Sequence, residues 1–191
     1  LMKEKHVDAY LVPTDDFHGS EYVGDYFKCR KYITGFTGSA GTAVITSDMA
    51  GLWTDGRYFI QAAQQLEGTT VTLFKMGVPK VPTVHEFLKD KLTEGMCLGF
   101  DGRCVSAAEA EELKSLLADK NISFSVEDDL IGEIWKNRPE LSCEPVMELE
   151  EKWAGKSRAD KCAQIRDKMA EKGADAFILT SLDDIAWLLN I

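Results

Sequence analysis

Apolar positions along this chain fall into two rhythms, short continuous or alternating runs and stretches with helical spacing. Asp8-Ala-Tyr-Leu-Val12 is an apolar run stopped by Pro13 and predicts a buried strand. A polar, glycine-containing stretch follows through Lys31 and predicts loop and short helix. Gly41–Ser47 and Leu52–Thr54 flank Asp48-Met-Ala-Gly51, the pattern of a β-hairpin. Arg57 to Leu66 then places Tyr58, Ala62 and Leu66 at helical spacing, with Phe59 and Ala63 beside them.

The alternation continues downstream. Thr70–Lys75, Cys97–Asp101 and Ile122–Val126 read as strands. Thr83-Val-His-Glu86 and Ser106-Ala-Ala-Glu109 have the S/T-x-x-E form of a capping box and open helices to Leu92 and Leu117. Leu113, Leu116 and Leu117 supply the buried face of the second. Leu130 to Trp135 predicts one more short helix. Strands alternating with helices, with one hairpin inserted, predict a layered α/β domain whose mixed β-sheet is flanked by helices.

From Arg138 to Pro145 the periodicity disappears, two prolines appear and acids dominate, so residues 138–154 are expected to be a linker. Beyond it, a helix from about Ser157 to Lys172 with Cys162, Ile165 and Met169 on one face ends at Gly173. A strand at Ala176–Leu179 and an apolar helix capped from Ser181 are expected next. This order repeats the opening of the chain. Met2/Met169, Glu4/Glu171, Lys5/Lys172, Asp8/Asp175 and Ala9/Ala176 coincide at one constant offset. The expected organisation is a complete domain over 1–137, the linker, and over 155–191 the first helix-strand-helix of a second similar domain, cut short.

Composition narrows the function. The 191 residues carry a net charge of −10 without any long Lys/Arg cluster, which disfavours a nucleic-acid partner. No apolar run is long enough to cross a bilayer. Five cysteines without C-x-x-C spacing predict reduced thiols rather than a disulfide frame or zinc site.

Several stretches could carry chemistry. Thr34-Gly-Phe-Thr-Gly-Ser-Ala-Gly41 is the glycine-densest segment, but a strand follows it and no lysine lies within it, so Gly35, Gly38 and Gly41 are assigned to packing rather than phosphate binding. His18 and Glu21 are spaced like a helical metal pair, but two ligands do not make a site, and a hydrogen-bonded structural role is the expectation. Asp15-Asp16 and Asp183-Asp184 follow predicted strands, where carboxylates cap free N–H groups. In Trp53-Thr-Asp-Gly-Arg-Tyr58, Asp55 can cap the coming helix and leave Arg57 in its first turn, where a cation opposes the helix dipole. Arg57 then either pairs with Asp55 or another acid, or is presented to an anionic or carbonyl group elsewhere.

AYLVPTDDFHGSEYV, YITGFTGSAGTAVIT, LWTDGRYFIQAA, IWKNRPE and DAFILTSLDDIAWLLNI together resemble one family, the cytosolic three-domain Xaa-Pro aminopeptidases, or aminopeptidase P. The resemblance implies a creatinase-type N-terminal domain followed by a second α/β domain and a C-terminal domain of pita-bread fold. In that last domain two Asp, one His and two Glu hold two divalent ions, usually manganese. A metal-bridging water there attacks the bond before proline and releases the N-terminal residue of a peptide. The implied role of this chain is the non-catalytic N-terminal region, with no catalytic residue and no metal ligand of its own. Arg57, in the D-G-R-Y segment, is implied to contact the peptide substrate, and His18 is a second candidate. A cytoplasmic, homodimeric full-length enzyme without nucleic-acid or membrane partners is the further expectation. The competing expectation is a free-standing binding or assembly module that keeps the fold without the chemistry. Continuation of the gene past Ile191 into a metal-ligand domain separates the two.

Overall fold

A computed structural model describes residues 1–191. The first of two compact units, Leu1–Leu141, is built on a six-stranded sheet. In chain order its elements are β1 (Ala9–Val12), α1 (Cys29–Thr34), β2 (Thr42–Thr46), β3 (Ala50–Thr54), α2 (Phe59–Gln65), β4 (Val71–Lys75), α3 (Val84–Lys91), β5 (Cys97–Phe100), α4 (Ala107–Leu116), β6 (Ser123–Ser125) and α5 (Leu130–Ile134). The strand order is β4-β3-β2-β1-β5-β6. β2 runs antiparallel to β1 and β3, while β3/β4, β1/β5 and β5/β6 are parallel.

Every residue of β1 is buried, as expected for a central strand covered on both faces. Alternation sends Ala9 and Leu11 to one side, against Leu88 and Leu92 near α3 and Leu113 and Leu117 near α4. Tyr10 and Val12 go to the other, against Leu130 and Ile131 of α5. Phe36, Leu52, Ala62 and Leu66 form a third cluster beneath α2. Trp53 is fully buried, stacks on Phe74 at 4.0 Å between ring centroids, and donates its Nε1–H to the Pro82 carbonyl at 2.8 Å.

The helix starts follow their capping residues. Thr83 and Glu86 form the reciprocal capping box of α3. Ser106 accepts the Glu109 N–H at the start of α4, but only half of that expected box forms, because the Glu109 carboxylate turns to His85, 3.6 Å away. All five cysteines are free.

Of the three glycines assigned to packing, Gly38 and Gly41 fit that role. A Cβ on Gly38 would overlap the Phe36 ring, and one on Gly41 would meet the Trp53 carbonyl at 2.8 Å. Gly35 does not, since it has open space around it. It serves as the left-handed C-cap of α1, at φ 75°.

The second unit, Ser142–Ile191, contains α6 (Glu151–Ala154), α7 (Arg158–Lys172) and α8 (Leu182–Leu189). Both ends of the expected linker are ordered. Arg138 is fastened to the first unit, donating from Nε to the Tyr26 carbonyl at 2.8 Å and pairing with Asp129, and residues 151–154 are helical. The half-buried stripe of α7 contains Cys162, Ile165 and Met169 as expected, but its fully buried member is Lys161. Lys161 Nζ donates to the Trp187 carbonyl at 2.8 Å and to Asn190 Oδ1 at 2.7 Å. The expected strand at Ala176–Leu179 is corrected. Those residues pair with no neighbouring strand, and Ile178 is 83% exposed. An apolar run becomes a strand only when another strand satisfies its N–H and C=O groups.

Candidate substrate-contact site

Because β1 and β3 both oppose β2, they run in the same direction, as do β4, β5 and β6. Their carboxyl ends open on one edge of the sheet, where open α/β folds bind ligands. The loop after β1 brings His18 to this edge, and the turn after β3 brings Arg57.

Asp55 is the N-cap of a short 3-10 turn, Gly56–Tyr58, that leads into α2. Its Oδ1 accepts the Arg57 N–H at 3.0 Å. The Arg57 side chain folds back on the same carboxylate, Nε to Oδ1 at 2.9 Å and Nη2 to Oδ2 at 2.8 Å. The ion pair foreseen between these residues is therefore present. It removes the penalty of a cation in a first helical turn, because the bound carboxylate offsets the dipole. The hydrogen bond from Arg57 holds the Asp55 carboxyl below its usual range, and the reciprocal bond raises the guanidinium. Asp55 covers the Nε–Nη2 edge of the fork, so Nη1 and the outer side of Nη2 remain for another group. The side chain is 66% exposed, and its guanidinium lies 5.2 Å from the centroid of the Tyr58 ring.

The loop carrying His18 is organised by Asp16, which is buried. Its Oδ1 accepts the main-chain N–H of His18 at 2.8 Å and that of Ser20 at 3.0 Å, while Asp15 Oδ1 accepts the Asp16 N–H at 2.8 Å. Both acids thus cap loop N–H groups, as their position after a strand suggested. Burial raises the Asp15 carboxyl. In Asp16 burial also acts upward, but the hydrogen bonds from Ser20 and His18 outweigh it and the net shift is downward. His18 itself is exposed, and the hydrogen bond that fixes its position comes from its backbone. His18 and Arg57 share the edge without a hydrogen bond joining them.

The Gly35–Gly41 loop is bonded to the loop after β1, its Gly41 carbonyl accepting the Thr14 hydroxyl at 2.6 Å. Its Ser39 hydroxyl is 2.7 Å from the Tyr58 hydroxyl, tying the loop to the residue beside Arg57. Arg30, only 4% exposed, holds the loop from within, donating from Nη1 to the Phe36 carbonyl at 3.0 Å and from Nη2 to the Gly38 carbonyl. Sequence reading missed Arg30, because nothing in Cys29-Arg-Lys31 marks one of two adjacent cations as the buried one.

A second omission was legible. The Asp55-Gly-Arg57 hook recurs as Asp101-Gly-Arg103 after β5, with Arg103 Nε and Nη2 on Asp101 at 3.0 and 2.9 Å. Its Nη2 also reaches Asp129 at 3.4 Å, so this copy is bound to two acids and sits in the structure as a brace.

No group of three or more His, Cys, Asp or Glu side chains is placed to hold a metal ion. Asp15-Asp16 and Asp183-Asp184 do not form one, and no metal-dependent step is assigned to this chain. No helix is long and apolar enough to cross a membrane.

The mixed, doubly covered sheet with an arginine hook at its carboxyl edge defines a layered α/β domain of a known class. Residues 1–130 match the creatinase/prolidase N-terminal domain, and residues 137–191 match a second family of the same description. The chain belongs to the creatinase/prolidase N-terminal domain family. It is 43% identical to Aminopeptidase P2 of Arabidopsis thaliana, over 97% of this chain and 26% of that protein. It is 42% identical to a probable Xaa-Pro aminopeptidase P of Laccaria bicolor, over 100% of this chain and 30% of that protein. Among solved structures it resembles the X-prolyl aminopeptidase of Caenorhabditis elegans, described as a cytosolic enzyme with a di-nuclear active site. That match has a TM-score of 0.85 and 38% identity over 96% of this chain and 30% of the other. The N-terminal domain of the cytoplasmic peptidase PepQ of Mycobacterium tuberculosis matches with a TM-score of 0.50 and 26% identity, over 70% of this chain and 91% of that domain. The chain spans less than a third of the length of these plant, fungal and nematode aminopeptidases.

Proposed function

We propose that this chain is the N-terminal, non-catalytic region of an Xaa-Pro aminopeptidase, and that Arg57 and His18 help to hold the peptide while another domain cleaves it. The observation that carries the reading is near-complete coverage of this chain by X-prolyl aminopeptidases of which it spans under a third. Hydrolysis belongs to the part of the parent enzyme outside these residues, where two divalent ions, proposed to be manganese, would activate water and polarise the peptide carbonyl. The di-nuclear active site of the nematode relative supports that division of labour.

Arg57 suits substrate contact because its fork is already aimed. Asp55 fixes the guanidinium through two bonds, so little side-chain freedom is lost when the remaining edge meets a peptide carbonyl or carboxylate. His18 sits on the neighbouring loop, positioned by Asp16. The parent enzyme is proposed to be cytoplasmic and homodimeric and to act without nucleic-acid or membrane partners.

The test assays this chain and the full-length parent side by side on an Xaa-Pro peptide with added manganese. Cleavage by the parent and none by the chain is expected. Cleavage by the isolated chain would overturn the division, and a parent inactive on such peptides would leave a binding module as the better description.

A further inference from the structure

A cavity of 270 Å³ opens between the Gly35–Gly41 loop and the stretch from Glu21 to Lys31. Its size lies near the lower limit of small-molecule sites, about 300 Å³. Arg30 is the buried charged residue of its lining. The guanidinium donates to the Thr14 hydroxyl at 2.6 Å and to the Phe36 and Gly38 carbonyls, and lies 4.8 Å from the Phe36 ring centroid. Each partner is a dipole, and none is a countercharge. A guanidinium also has more N–H donors than these bonds use. Desolvating a full charge is unfavourable unless an opposite charge answers it.

The rest of the lining indicates what that charge would be. Lys28 is committed to Asp25, which leaves Arg30 and the exposed Lys31 against one acid, Glu21. One surplus positive charge suits a monoanion, and Glu21 repels a dianion such as phosphate. Val23 and Phe27 give the cavity an apolar side that an inorganic ion would leave unused. We propose that this cavity is a binding site for a small organic monocarboxylate, with Arg30 as the anchoring cation. The site is independent of whether the parent enzyme cleaves Xaa-Pro bonds.

The experiment titrates the 15N-labelled chain with N-acetylglycine, with N-acetylglycinamide as its neutral counterpart, and with inorganic phosphate. Saturable shifts of the Thr37, Gly38 and Ser39 amides are expected with the acid, little change with the amide, and weaker binding of phosphate. Arg30 also holds the loop, so its replacement can unfold the site. The decisive variants are therefore at the exposed members of the lining. Glu21→Gln should tighten the acid and Lys31→Glu should weaken it, each by roughly threefold or more, as expected for a unit charge several ångströms away near a protein surface. Equal response to acid and amide, phosphate binding tighter than the acid, or a Kd unmoved by both variants would each overturn the assignment.

Discussion

His6 and Gly173 end two different segments with the same backbone geometry. Both are left-handed, at φ 55° and 65°. The His6 N–H bonds to the Lys3 carbonyl at 3.3 Å and the Val7 N–H to the Met2 carbonyl at 2.9 Å. The equivalent bonds run from Gly173 to Ala170 at 3.1 Å and from Ala174 to Met169 at 2.9 Å. In both places the chain must reverse sharply before an Asp-Ala pair, and the paired hydrogen bonds of a left-handed helix terminus accomplish it. Glycine takes that conformation freely, whereas histidine takes it against steric resistance.

The first prediction follows from that difference. His6→Gly should stabilise the first unit by about 1 kcal/mol, and Gly173→Ala should destabilise the second by about as much. Urea unfolding of each variant measures both. A neutral or destabilising His6→Gly would mean that its imidazole makes a compensating contact.

The acids after β1 should titrate apart. The Asp16 carboxyl is depressed below its ordinary 3.8, so its hold on the loop is complete above that pH and is lost as pH falls through the lower folded value. Asp15 is raised above 3.8, and it loses its charge at a higher pH than an ordinary aspartate. Amide shifts of His18 and Ser20 should therefore move with a midpoint below 3.8 and that of Asp16 with one above it, followed by two-dimensional NMR in acid. Coincident midpoints would contradict the hydrogen-bond assignment.

In the full-length parent, Arg57→Ala should lower kcat/KM for an Xaa-Pro peptide with metal content unchanged and with a melting temperature close to wild type. The Arg57 side chain is 66% exposed and its ion pair is with Asp55, so its removal should leave the buried core in place. Arg57→Lys should recover little, because an ammonium cannot hold Asp55 through two parallel bonds while presenting a further edge. His18→Ala should raise KM to a smaller extent. Wild-type kinetics in Arg57→Ala would remove the proposed contact.

The second unit hangs on a buried amine. Lys161→Met should leave the Trp187 carbonyl and Asn190 Oδ1 without their donor, destabilising the packing of α8 on α7 by roughly 1–3 kcal/mol. Loss of helical Cα shifts across Leu182–Leu189, with the first unit unchanged, is the expected readout.

Sequence reading located nearly all the elements of the first unit, and the reasons are local. Thr83 and Ser106 cap their helices because a hydroxyl reaches an N–H only a turn away. Alternation in β4 and the apolar run of β1 report which faces are covered. The Asp55–Arg57 pair was foreseeable for the same reason, since a single residue, Gly56, separates its partners. Arg30 was not, because its partners lie on a loop whose path depends on the packing of Phe36 and Tyr58. Family resemblance supplied what periodicity could not, the peptide-contact role offered for Arg57.

Residue pattern alone determined most strands and helices of the first unit, the Thr83 and Ser106 caps of α3 and α4 and that an arginine would stand at the turn after β3. Each of these depends on groups within a few positions along the chain. Tertiary structure decided the placing of β1 between β2 and β5, the burial of Arg30 and Lys161 without carboxylate partners, and the failure of Ala176–Leu179 to become a strand. Those outcomes depend on which distant segment arrives to offer a hydrogen bond or exclude water, and local propensity carries no record of that.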